Sequence, residues 1–293
     1  MSNVLTQAFV YLLLLGVGYG FKRVGIFRVE DSAFLKSVIL YITMPATAIN
    51  GLKDLELQPS FLWCFLTGFV TCTVLMAAGL AVARNAPAPR KLVYLFSTNS
   101  FNVGNFAIPF LTGLISTDGF AALCLFDIAV AIYLYGVSYS MAEGITGRGG
   151  FSAKLLLKKI FTSPVTDAYL IMLALAALHI RLPAPLLRLA EVTANANAFL
   201  AMLSIGILFE INFGKKDLGE MARFFALRYG VVLALAAGVY WLLPLAADMA
   251  PVASVAPLLT RNAGGDGTRA AQINSISILI GIAMMTLMYA VTG

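Results

Sequence analysis

Charge is what this sequence has least of: Asp, Glu, Lys and Arg make up 12% of its 293 residues, against 60% hydrophobic residues. Soluble domains carry about 25% charged residues, and half of that cannot cover a water-facing fold of this size. With a mean hydropathy of +0.89, the surplus apolar surface is expected to face lipid. Disordered, collagen-like and coiled-coil chains are excluded as well, since none would carry 20 Phe and 11 Tyr with so few charges. Histidine is nearly absent, with His179 alone, so a catalytic triad or a multi-histidine metal site has little to build with. Cysteine is scarce too. Cys64, Cys72 and Cys124 are an odd set without CxxC spacing inside apolar runs, which supports neither a disulfide framework nor zinc and reads as small buried hydrophobes. The net charge of +6 is spread singly or in pairs between those runs, whereas nucleic-acid binding needs a basic soluble face.

What the sequence has in abundance is long apolar runs. A membrane-crossing helix needs about 20 mostly apolar residues, and irregular backbone cannot face hydrocarbon. Residues 4–21, 37–52, 57–83, 92–117, 192–209, 229–247, 249–260 and 270–293 are free of charge, while 119–142 holds only Asp127 and 160–180 only Asp167. The fold expected is an all-α integral membrane protein with ten transmembrane helices. The first run has no basic segment before it and no small-residue cleavage site after it, so a retained span is expected rather than a signal peptide. Ten spans place both termini on one side. With the termini on the outer side of the cell (inner) membrane, all of the 20 Lys and Arg except Lys53, Arg181 and Arg188 fall on inside loops and flanks, as the positive-inside rule requires.

Residues 1–147 and 148–293 each hold five spans, and an odd number inverts the second half. Inverted five-helix repeats are the arithmetic of secondary transporters, whose substrate sites lie near the midplane between paired broken helices. Span four contains Asn99, Asn102, Gly104, Asn105 and Pro109; Pro109 removes a backbone donor and the amides need partners in hydrocarbon. Span nine, its counterpart, is the shortest and carries Pro251, Ser254 and Pro257, with Arg261 just beyond. Helices 4 and 9 are therefore expected to be broken and crossed. Their half-helix N-termini would offer free N–H groups to an anion.

The stretch Asn102-Val103-Gly104-Asn105-Phe106-Ala107-Ile108-Pro109 resembles the Asn-to-Pro crossover motif of the auxin efflux carriers, the family of plant PIN proteins and compact bacterial permeases. Pro45, Ser163-Pro164, Leu182-Pro183, Ser204-Ile205-Gly206 and Pro251 extend the likeness in order along the chain. The resemblance implies a fold like that of bile-acid symporters and sodium/proton antiporters, with scaffold and transport domains each built from both repeats. It further implies elevator-like movement of organic anions such as malonate, malate or indole acetate, and a homodimer. By position, Asn102 would bind the substrate carboxylate, Pro109 would fix the break, and Pro251 would do so in the second crossover, with Ser254 as the polar group that follows. The long cytoplasmic loop of many plant members is missing, which points to the bacterial branch rather than to auxin itself.

Other residues leave alternatives open. Asp127 lies mid-span, where an ionised carboxylate costs several kcal/mol unless paired or hydrated; it is either a proton-coupling group near Asn99, Asn102 and Asn105 or a structural acceptor for an asparagine, Tyr133 or Tyr135. Arg261 is either a bidentate carboxylate clamp or a snorkelling anchor. Gln272 and Asn274 could line a cation site or act as polar glue between helices. Glu210 reads as an interfacial partner of Lys215 and Lys216, and Asp167 suits a first helical turn. No constellation for enzymatic catalysis and no cofactor motif is present. The function expected is a secondary organic-anion transporter with proton or sodium as possible coupling ion. A sodium-coupled symporter or a passive anion channel is the alternative, the channel being the poorer fit to paired broken helices.

Overall fold

The computed structural model describes residues 2–99, 101, 103–112, 115–147, 154, 157–158, 161–209, 215–242, 276, 279–283 and 286. Among these residues all regular structure is helical. The first run forms α1 (Ser2–Arg23). Span two is α2 (Asp31–Val38), a π-helical turn at Ile39–Thr43, and α3 (Met44–Leu52) with Pro45 in its first turn. Span three is α4 (Ser60–Val82). Span four comprises α5 (Ala88–Asn99), a π-helical turn Val103–Ala107 and the short α6 (Ile108–Leu111). Span five runs through α7 (Thr117–Ile132), a π-helical turn Tyr133–Ser138 and α8 (Tyr139–Thr146). In the second half follow α9 (Pro164–Ala177), α10 (Ala184–Ala194), α11 (Asn197–Leu208) and α12 (Lys215–Leu242).

Five of the described helices are long and apolar enough to cross a membrane: Leu5–Arg23, Asp31–Leu52, Ser60–Val82, Thr117–Thr146 and Ala184–Leu208. Spans seven and eight depart most from the sequence reading. Span seven begins at Ala184 instead of residue 192, because Pro185 sits in its first turn, where a missing N–H is tolerated, and Arg188 pairs with Glu191 at 2.8 Å on its surface. It is also interrupted by a turn at Asn195 and Ala196. Helix α12 starts at Lys215, so Arg228 is not a flank of span eight but an interior residue, fully buried. Spans nine and ten fall outside the described residues apart from 276, 279–283 and 286.

The first helix of each half ends alike. After α1, Gly25 (φ 81°) takes the left-handed conformation, with Gly25 N–H bonded to Lys22 O at 3.2 Å and Ile26 N–H to Phe21 O at 2.9 Å. After α9, His179 (φ 53°) does the same, with His179 N–H on Ala176 O at 3.1 Å and Ile180 N–H on Leu175 O at 2.9 Å. Both are Schellman closures, which satisfy carbonyls the last turn leaves orphaned.

Packing sorts the described helices into two groups. Helices α1, α2, α3, α9, α10 and α11 lie against one another, and α4, α5, α7, α8 and α12 form the other set. At the α1/α11 crossing the backbones touch: a methyl on Gly18 would lie 2.5 Å from Leu203 O and 3.1 Å from Gly206 Cα, and one on Gly206 would overlap Leu15 O. Small residues permit such close approach, and in lipid it is van der Waals contact that holds helices together. Between span two and span seven, Thr43 Oγ1 donates to Asn197 Oδ1 at 2.7 Å, both residues buried. Short α6 and the turn before it bridge the two groups, contacting α1, α11 and α7, and α3 packs directly on α7, where a methyl on Gly51 would strike the Phe120 ring. Outward faces of α1, of the π-helical turn in span two and of α4 show Phe9, Leu13, Tyr41, Leu62, Trp63 and Val70, the apolar surface that lipid covers. Cys64, Cys72 and Cys124 are free thiols and buried, as the sequence suggests.

Candidate functional site: the interrupted fourth helix

Every helix end leaves carbonyls and amides without intrahelical partners, and in a water-poor interior each must be satisfied otherwise. A span broken in mid-membrane creates two extra ends. In span four the first half, α5, ends at Asn99, and Pro109 withholds the N–H that would have bonded back one turn. The carbonyl ends of its two halves are taken up by three other helices. Arg228 of α12 donates through Nη1 to Ser97 O, and the Cys72 thiol of α4 donates to Asn99 O at 3.4 Å. On the far side, Tyr11 and Gln7 of α1 donate to Pro109 O at 2.8 Å and Phe110 O at 3.0 Å. Ser138 Oγ accepts from the Asn99 side-chain amide at 2.8 Å. Two buried polar atoms at this end, Ser97 Oγ and Asn99 Oδ1, have no hydrogen-bond partner among the described residues.

Asp127 of α7 reaches this break. Its Oδ2 lies 3.4 Å from where a side chain at Gly104 would begin, which sets the carboxylate against the π-helical turn. Met44 of span two is closer still, its Cε 2.6 Å from the same point, so it is Met44 that a side chain at Gly104 would displace. The same Oδ2 accepts a hydrogen bond from Tyr169 of α9 at 3.3 Å. This partner is not a tyrosine of Asp127's own span: it comes from the other helix group. Cys124, one turn before Asp127, is buried beside it.

Of the residues singled out in the sequence, the structure places Asn99 at the end of α5, Asn105 in the π-helical turn, Pro109 in the first turn of α6 and Asp127 against Gly104. Asn102 lies outside the described residues, as do Pro251, Ser254, Arg261, Gln272, Asn274 and Glu210. Asp167 sits in the first turn of α9 behind the Ser163 cap, whose oxygen accepts from Thr166 N–H at 3.4 Å. Sequence reasoning missed Arg228, Tyr169 and the pair Gln7 and Tyr11. Arg228 directly precedes a charge-free run and passes for its flank; nothing distinguishes Tyr169 or Tyr11 among 11 tyrosines. A separate cavity of about 230 Å³ opens between the ends of α3 and α9 and the start of α10, lined in part by Lys53, Asp54, Glu56, His179 and Arg181; no sequence-predicted site residue lines it.

The arrangement is a helix broken in the interior, its carbonyl ends held by side chains from other helices and an acid group at the gap. Its described side chains offer hydrogen-bond donors and acceptors and one carboxylic acid able to take up or give a proton. A search among curated proteins gives no match. A family model described as membrane transport protein matches residues 4–150, half of the chain and the whole of the interrupted span. On that match the chain belongs to the auxin efflux carrier family and is a multi-pass membrane transport protein.

Proposed function

We propose that this protein is a secondary transporter of small organic anions, mono- or dicarboxylates of the size of malonate or malate, working by alternating access. The observation that carries the reading is the Asp127 carboxylate, set against Gly104 in the broken helix and hydrogen-bonded across to Tyr169 of the other helix group. In this reading Asn99, Asn102, Asn105 and Pro109 form one half of the binding site, and Pro251, Ser254 and Arg261 the other. Asp127 carries the coupling proton; Gln272 and Asn274 are the sites to test if sodium drives transport instead.

The two helix groups support a division into a scaffold (spans one, two, six and seven) and a transport unit that slides past it as an elevator. Two reciprocal contacts support inverted repeats: span one packs on span seven as span two packs on span six. The Thr43–Asn197 bond joins the second span of each half close to its interruption. Location in the cell (inner) membrane with both termini outside, and a homodimer, complete the proposal.

The test is uptake of radiolabelled malonate, with malate and indole acetate in parallel, into proteoliposomes under separately imposed pH, sodium and potential gradients. Saturable uptake driven by the pH gradient, and loss of that drive in Asp127→Asn with binding retained, is the expected result. Wild-type uptake by Asp127→Asn at every pH would remove Asp127 from coupling, and non-saturable flux would favour a channel.

A further inference from the structure

The carbonyl end of α5 carries partial negative charge, and one described side chain there opposes it. Ser97 O and Asn99 O end the first half-helix, where the aligned peptide dipoles amount to roughly half a negative charge; Asn99 Oδ1 and the Asp127 carboxylate add to it. Such a field repels a carboxylate. Arg228 is the side chain that opposes it. It is the one fully buried charged side chain among the described residues, and it meets the break through Ser97 O, with its guanidinium carbon 5.0 Å from the centre of the Phe101 ring. Phe101 in turn packs edge-on against Phe126 at 5.4 Å, the neighbour of Asp127 in α7. One aromatic layer thus separates the cation from the helical turn that carries the acid.

Desolvating a guanidinium is expensive, and capping a carbonyl by a neutral donor would suffice for the backbone, as the Tyr11 hydroxyl does on Pro109 O. A permanent charge does what a neutral donor cannot: it reverses the sign of the local potential. We infer that Arg228 is the specificity-determining residue that makes the break in span four select anions, by offsetting the carbonyl end of α5 so that a carboxylate can rest beside it. This rests on the organic-anion reading above. Arg228 acts through the field and through the placement of Ser97 and Asn99, as a positioning residue, and Phe101 keeps the guanidinium in register by a cation–π contact.

The experiment compares wild type, Arg228→Gln and Arg228→Lys on malonate uptake, together with thermal stabilisation of the purified proteins by acetate, malonate, malate and neutral malonamide. Arg228→Gln is expected to raise KM for malonate by at least about tenfold with maximal rate little changed, the size of losing one buried charged contact. Its stabilisation by the three carboxylates should vanish while any effect of malonamide persists. Arg228→Lys, which keeps charge but not the fork, should restore anion preference over malonamide. An unchanged KM in Arg228→Gln, or a fall in maximal rate alone in both variants, would overturn the inference and leave a structural cap. Should wild type not move malonate, the substrate assignment fails by itself. Carboxylate stabilisation lost in Arg228→Gln would then still uphold the role of Arg228, and absence of carboxylate stabilisation in wild type would refute it. If Arg228→Gln cannot be recovered folded, Arg228→Lys decides: loss of anion over neutral preference refutes the role of charge.

Discussion

Single residues set the polar contacts on which this apolar protein depends. In the Thr43–Asn197 pair, Asn197 Oδ1 receives the threonine hydroxyl while Asn197 Nδ2 has no partner among the described residues. Removing the donor leaves a whole amide stranded, so Thr43→Val is expected to cost about 1–3 kcal/mol. Adding Asn197→Leu should recover most of that, because the stranded group leaves too. Thermal unfolding in detergent over the double-mutant cycle measures both. At this scale the sequence shows a misplaced charge better than a partner. Asp127 stands out because nothing else in its run is charged, whereas Tyr169, which meets it, is identified only by the three-dimensional approach of α9. Arg228 fails for a different reason: hydropathy windows end where charge begins, so an arginine that continues a helix inward is counted as its end.

Elements hold together by surface relief that a hydropathy profile does not record. Gly206 faces the α1 backbone, and a Cβ there would strike Leu15 O, which cannot swing away as a side chain could. Gly206→Val is expected to cost about 1–3 kcal/mol, the range of overpacking in a close-packed interface, read as a lower unfolding midpoint. Gly16 and Gly20, on the same helix as Gly18, have open space at the Cβ position, so Gly16→Val and Gly20→Val should stay near the wild-type midpoint. The break in span four is readable from Pro109 and its asparagines because both have a known price in hydrocarbon. The π-helical turn at Tyr133–Ser138 has no proline or charge to announce it. Neither has the turn at Asn195 and Ala196, which a short polar pair marks too weakly within an apolar run.

For the whole molecule, composition alone settles that the chain is a membrane protein, since a surface this apolar has no other solvent. The grouping of helices into two sets is not in the sequence, because it depends on which faces meet. Orientation is testable directly: Arg181 and Arg84 are both exposed at span ends and lie on opposite sides in the ten-span reading. In intact cells, Arg181→Cys is expected to react with an impermeant maleimide, and Arg84→Cys only after permeabilisation. The opposite pattern would invert the protein in the bilayer. The burial of Cys64, Cys72 and Cys124 gives this assay its blank. The natural chain already presents a thiol-silent surface, so probes can be placed one at a time without stripping native residues. Because Cys72 is itself bonded to Asn99 O, its sulfur should stay dark to reagents while the break is closed. Should it become reactive during turnover, the unaltered protein would be signalling its own opening.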